Sequence, residues 1–198
     1  GTAEQIVSNT SWKTADSPIL FDMRRHGEKF DARLKINGWC DPDFDDSAWD
    51  NAFICKGLGG KFRKKIVEPI RIMRLIRGTE IEKGLFDFGT NTSGWARINV
   101  KGKSGNEIVI KYSENITDDE KHVDQSSITN GGSHKDQYIM EGNPDGEEWE
   151  QSFIYHGFRY VEIEGEYDEI TVDAVVAFTD MPLTSSFKCD NDVINKIH

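Results

Sequence analysis

The run Ser152-Phe153-Ile154-Tyr155-His156-Gly157-Phe158-Arg159-Tyr160-Val161-Glu162-Ile163-Glu164-Gly165 does most to limit what this chain can fold into. It reads as one strand, a glycine break at Gly157, and a second strand. In that second strand Arg159, Val161 and Ile163 alternate against Phe158, Tyr160 and Glu162, the period of two that puts neighbours on opposite faces of a sheet. Its aromatic and β-branched side chains suit a half-buried pleated surface.

The same texture continues along most of the chain. Short candidate strands fall at 71–76, 84–88, 95–101, 107–113, 136–141, 153–156, 159–164 and 171–178. They are separated by turn-forming runs such as Lys103-Ser104-Gly105-Asn106 and Asn143-Pro144-Asp145-Gly146. Regular short strands punctuated in this way predict an all-β fold, an antiparallel sandwich resembling a jelly roll. Within 95–101 the inward residues are Ala96, Ile98 and Val100, with Arg97, Asn99 and Lys101 toward water. Within 107–113 the core face is Ile108, Ile110 and Tyr112. From Thr117 to Ser133 a polar loop runs through Asn130-Gly131-Gly132, long enough to be either mobile or functional.

Residues 1–65 differ, with short strands expected near Ser11-Trp12-Lys13 and 19–21. A turn-rich segment follows in which Trp39, Phe44 and Trp49 anchor the loop and Asp45, Asp46 and Ser47 cap exposed amides. Gly57-Leu58-Gly59-Gly60-Lys61, with Arg63, Lys64 and Lys65, reads as a flexible basic connector. At the other end, Asp190 or Asn191 offers an N-cap to a short C-terminal helix carrying Val193, Ile194 and Ile197.

The balance of 24 basic against 35 acidic residues, a formal charge of −11, argues against a nucleic-acid partner, which is held by neutralising phosphates. No apolar run approaches the roughly 20 residues that span a bilayer, so no membrane partner is expected. Cys40, Cys55 and Cys189 have no metal-like spacing and read as free thiols, with one bridge left open.

Four ordered segments carry a family resemblance: Glu68-Pro69-Ile70-Arg71, Phe86-Asp87-Phe88-Gly89-Thr90-Asn91, Gly94-Trp95-Ala96-Arg97, and Tyr155-His156-Gly157-Phe158-Arg159-Tyr160-Val161. Together they resemble the bacterial α-L-rhamnosidases, glycoside hydrolase family seventy-eight. The likeness extends to Ser185-Ser186-Phe187-Lys188-Cys189 and the helix after it. It implies a division into 1–65, the tail of a preceding jelly roll plus linker; 66–188, an accessory β-sandwich; and 189–198, the opening helix of an (α/α)6 catalytic barrel that lies beyond this sequence. It also implies inverting hydrolysis of α-L-rhamnosides in that barrel, with general acid and base carboxyls about 6.5–9.5 Å apart. No catalytic residue is therefore assigned to this chain. The expected partners are the barrel and a rhamnose-containing carbohydrate, with a periplasmic or extracellular setting favoured.

Individual residues admit sharper readings. Asp87, Asn91 and Trp95 could bind sugar, the polar pair fixing hydroxyls while the indole stacks on the ring; alternatively Asp87 and Asn91 cap the Gly89 turn and Trp95 fills the core. As a separate sugar-binding module, the chain would use Trp95 or Trp39 as its platform. No cofactor is expected, although Asp41, Asp43, Asp45 and Asp46 leave calcium open as against a solvated acidic loop. His156 reads as a structural imidazole bonded to backbone at the strand break. Asp118, Asp119, Glu120 and His122 require no special role.

Overall fold

A computed structural model describes residues 3–57, 59–127 and 133–197; Gly1, Thr2, Leu58, residues 128–132 and His198 lie outside the described residues. Among the described residues twelve strands follow one another: β1 Lys13–Thr14, β2 Ile19–Met23, β3 Gly27–Asp31, β4 Asp50–Asn51, β5 Ile70–Arg77, β6 Thr79–Glu82, β7 Leu85–Lys101, β8 Glu107–Ser113, β9 Lys135–Ile139, β10 Glu147–Trp149, β11 His156–Glu164 and β12 Glu169–Thr179. A 3-10 turn, Ala32–Leu34, follows β3, and a helix, α1 Asp192–Ile197, follows β12.

The long strand β7 organises the molecule. Sequence reading expects two strands here, at 84–88 and 95–101, but the backbone runs unbroken through Leu85–Lys101. Its first half pairs with β6 and β11, and its second half with β12 and β10. The change of partner falls at Gly94, which stands opposite both His156 of β11 and Val176 of β12. A Cβ there would lie 1.8 Å from the Val175 carbonyl oxygen, and φ is +148°, so the close approach needs glycine. One ten-stranded sheet, eight strands in the order β2-β3-β9-β8-β11-β7-β12-β5 with β6 and β10 also paired to β7, thereby curls over on itself into a sandwich.

Between the layers lies the core. Ile108, Ile110 and Tyr112 of β8 meet Ala96, Ile98 and Val100 of β7, with Val172 and Ala174 of β12, all at most 1% exposed. The period-two pattern alone predicts the β7 and β8 residues, and both expectations hold. Tyr112 ties the layers together, its hydroxyl accepting from the Ala96 amide at 3.3 Å.

The run at 152–165 departs from its expected form. Gly157 is not a break: β11 begins at His156 and continues through Gly157 to Glu164, while 153–155 form no strand. The irregularity comes two residues later, at Arg159. Phe158 faces Thr92 and Tyr160 faces Asp87, so Arg159 alone spans four residues of β7, 88–91. This shift changes the phase of alternation, and Phe158 enters the same core as Val161 and Ile163 instead of the opposite face.

Four strands escape a sequence reading because they are short or irregular: β3, β4, β6 and β10. Strand β3 pairs parallel with β9 and so joins the N-terminal segment 19–31 to the larger sheet. No helix among the described residues is long and apolar enough to cross a membrane.

Candidate functional site

Strand β7 carries all three sugar-binding candidates. Asp87 projects beside Arg159, which donates Nε to Oδ1 and Nη2 to Oδ2, both at 2.8 Å. The Gly89 amide donates to Oδ1 at 2.7 Å. These three donors define what the carboxylate does. It caps the turn at Gly89, whose φ is +73°, and clamps the stretch where β7 outruns β11. The Arg159 hydrogen bonds hold the Asp87 carboxyl below its ordinary value against partial burial, and the Gly89 amide adds to the effect.

Asn91 lies in the same excursion and is exposed. Trp95 is half-buried and outside the core, so it is not the core filler that a bland reading expects. Its indole Nε1 donates to Glu150 Oε2 at 2.7 Å, while Arg97 donates Nε and Nη2 to the two oxygens of Glu150, both at 3.1 Å. Asp87 and Trp95 thus belong to separate polar networks. Arg159, which organises the first network, lies within the 155–161 motif but was assigned no role there, and Glu150, which organises the second, belongs to no motif. The only available signal was that each sits one residue from an aromatic at a polar, alternating position.

A second surface lies in the N-terminal region. A groove of about 870 Å³ is lined by Trp39, Trp49, Phe30, Asp16, Asn37 and Lys35, with Ser152 at one side. Trp39 is 63% exposed over it, whereas Trp49 packs on Phe44 with ring centroids 5.4 Å apart. Phe44 and Trp49 therefore anchor the loop as expected, but Trp39 does not. Asp45 caps the Ser47 amide at 3.0 Å. Among the described residues no three His, Cys, Asp or Glu side chains gather in a metal-holding arrangement, the four loop aspartates included. Cys40, Cys55 and Cys189 are free thiols.

His156 has the structural role expected of it, but its partner is different. The ring is buried and its Nε2 donates to the Asp136 carboxylate at 3.1 Å, not to backbone. It also stacks on Tyr112, with centroids 4.0 Å apart. Asp136 arrives on β9 from 20 residues away, a non-local partner that spacing around His156 cannot reveal. The loop after β8 is likewise more tied down than its polarity suggests. Glu162 accepts from the Val123 amide at 3.0 Å and lies 2.8 Å from His122 Nδ1, an interaction that raises the His122 imidazole above its ordinary value.

The last surface feature is apolar. Strand β5 is one of the two end strands of the sheet, with no second strand partner among the described residues, and Ile70, Ile72 and Leu75 along it are each about half exposed. Val193, Ile194 and Ile197 of α1 are exposed as well. A long apolar edge strand left open invites association with other chains, and natural proteins usually cover one.

Comparison with known proteins places these features in context. A family profile described as the bacterial alpha-L-rhamnosidase concanavalin-like domain matches residues 77–179. A second, the alpha-L-rhamnosidase N-terminal domain, matches residues 1–74. The structure of an α-L-rhamnosidase from Dictyoglumus thermophilum is 40% identical with a TM-score of 0.87, over 97% of this chain and 22% of that one. That of the Streptomyces avermitilis α-L-rhamnosidase, complexed with L-rhamnose, is 30% identical with a TM-score of 0.88, over 100% of this chain and 20% of that one. An α-L-rhamnosidase of Formosa agariphila is 32% identical over 213 residues, again over all of this chain and 22% of its own length. The chain therefore spans about a fifth of the length of the relatives it matches.

Proposed function

This chain belongs to the bacterial α-L-rhamnosidase family, and from that premise we propose that it is the non-catalytic β-sandwich portion of a longer α-L-rhamnosidase, serving to support and orient a helical catalytic domain. The parent enzyme would remove terminal α-L-rhamnosyl residues with inversion, using an acid and a base carboxyl on that other domain.

The observation that carries this reading is the uncovered apolar edge. Strand β5 is paired on one side by β12 and has no strand partner on the other among the described residues, with apolar side chains exposed on both of its faces. The segment that leaves β12 begins beside it, the Asp180 amide donating to the Pro69 carbonyl at 3.0 Å. That segment ends in α1, whose apolar residues are also uncovered. A helical domain packed on both would bury the two together, and hydrophobic contact of that size fixes one domain's orientation against another.

The test uses both the chain and its parent. The purified chain should not hydrolyse an aryl α-L-rhamnoside. Substituting Ile72→Lys and Leu75→Lys should leave the isolated chain folded while lowering activity and thermal stability in the parent. Turnover by the chain alone, lost when one of its own carboxylates is changed, would overturn the proposal.

A second reading is a carbohydrate-binding module, and one observation favours it: the exposed Trp39 indole beside Asp16, Asn37 and Lys35 in the groove. An aromatic face flanked by polar groups is a general arrangement for holding a sugar ring.

A further inference from the structure

Strand β3 carries an acid with no role in the surfaces described above. Glu28 is 1% exposed. Its Oε2 accepts from the Ser152 amide at 2.9 Å, joining β3 to the segment that leads into β11. Its Oε1 is buried without a donor among the described residues. Gln151, adjacent to Ser152, has the same deficit: its Nε2 donates to the Ile154 carbonyl, and its buried Oε1 has no donor among the described residues.

Two buried acceptors without donors are costly. A proton on Glu28 changes the count, because a neutral carboxyl owns an O–H donor that a carboxylate lacks. The surroundings favour that proton. From β9, Asp136 accepts the Glu28 amide at 2.9 Å, and from β2 Asp22 adds a second negative charge. Tyr112 faces the cluster from β8, and His156 approaches from β11, where Asp136 engages it. His134 stands beyond, its ring centroid 5.6 Å from that of His156.

We propose that Glu28 takes up a proton inside the fold and acts as a proton-operated clasp, holding the β2–β3 pair to the segment 151–154 more tightly in acid than in neutral solution. Phe30 of β3 and Ser152 both line the Trp39 groove, so the clasp also sets the shape of that groove. Burial raises the carboxyl above its ordinary 4.5 and the charges of Asp136 and Asp22 add to it, while the Ser152 and Phe153 amides oppose them. For an acid raised in the folded state, the stabilisation is fully present below 4.5 and is lost as pH rises through the folded value. His134, lowered by burial, acts in the opposite sense over part of this range, so the comparison must be between proteins that both retain it.

The experiment is a carbon-detected NMR titration of the Glu28 carboxyl in the 198-residue chain. It is combined with thermal unfolding and Ser152 amide exchange at pH 5 and 7 for wild type and Glu28→Gln. Glu28 should titrate above 4.5. The ratio of wild-type to Glu28→Gln unfolding constants should rise between the two pH values, up to about tenfold per unit of elevation. Ser152 protection, corrected for intrinsic rate, should fall with rising pH in wild type only. Titration at or below 4.5 overturns the proposal without recourse to the variant. So does a Glu28→Gln protein that folds but is less stable than wild type at pH 7.

Discussion

Arg159 grips Asp87 with two hydrogen bonds of equal length, 2.8 Å each, at the point where β7 and β11 fall out of register. Four residues of β7 must be accommodated opposite a single residue of β11, and the backbone there cannot satisfy itself with ladder bonds alone. The ion pair replaces the missing rungs. It explains why an arginine interrupts an otherwise aromatic and β-branched run, and why an aspartate sits between Phe86 and Phe88.

Changing either partner should therefore disturb the same feature. Asp87→Ala and Arg159→Ala are each expected to lower the thermal midpoint by a few degrees, and the double variant by no more than the worse single one. A double-mutant cycle by thermal unfolding checks this; fully additive losses would mean that the two residues act separately.

Glu147 should be a stronger stability determinant. Its carboxylate accepts the Tyr138 hydroxyl at 2.7 Å and the amides of Glu141, Gly142 and Asn143 at 2.8–3.0 Å. Burial opposes ionisation, but Tyr138 and the three amides outweigh it and hold the carboxyl below its ordinary 4.5. A group lowered in this way contributes stability that is present above 4.5 and lost as pH falls through the folded value. Glu147→Ala leaves four donors without their acceptor and should cost about 3 kcal/mol. Denaturant unfolding measures that loss, and an acid titration of stability should show a flatter profile in Glu147→Gln than in wild type.

Two glycines should behave in opposite ways. Gly94→Ala places a methyl group 1.8 Å from the Val175 carbonyl oxygen at the strand's change of partner, and is expected to cost about 3 kcal/mol or more. Gly157→Ala meets only the end of the Glu114 side chain, at 3.6 Å, and should cost less than about 1 kcal/mol. Unfolding midpoints of the two variants provide the check; equal losses would contradict the requirement for glycine at the change of partner.

If the groove holds carbohydrate, Trp39→Ala should abolish an L-rhamnose titration response measured by calorimetry. Trp95→Ala and Asp87→Asn should leave that response unchanged, because their polar atoms already have protein partners. A response lost with Trp95 or Asp87 but kept without Trp39 would move the sugar site to β7.

The exposed edge has a consequence for the isolated chain. Ile70, Ile72 and Leu75 should drive concentration-dependent self-association. Analytical ultracentrifugation of the Ile72→Lys, Leu75→Lys protein should show a more monomeric species with unchanged circular dichroism.

How much of this was legible in the residues depended on distance along the chain. The alternation of Ala96, Ile98 and Val100, and of Ile108, Ile110 and Tyr112, is written locally with a period of two, and each side chain lies in the core as that period requires. The ordered motifs from Phe86 to Val161 likewise disclosed the family. The partnerships that define the polar interior were not legible in this way. Asp136 with His156 depends on β9 lying near β11, Glu28 with Ser152 spans 124 residues, and Phe158 reaches the core only through a register shift. A periodic pattern tells a strand which face to bury, because that choice is made one residue at a time. Which side chains meet across the sandwich is decided by where β7 changes partner, and only the closed sheet determines that.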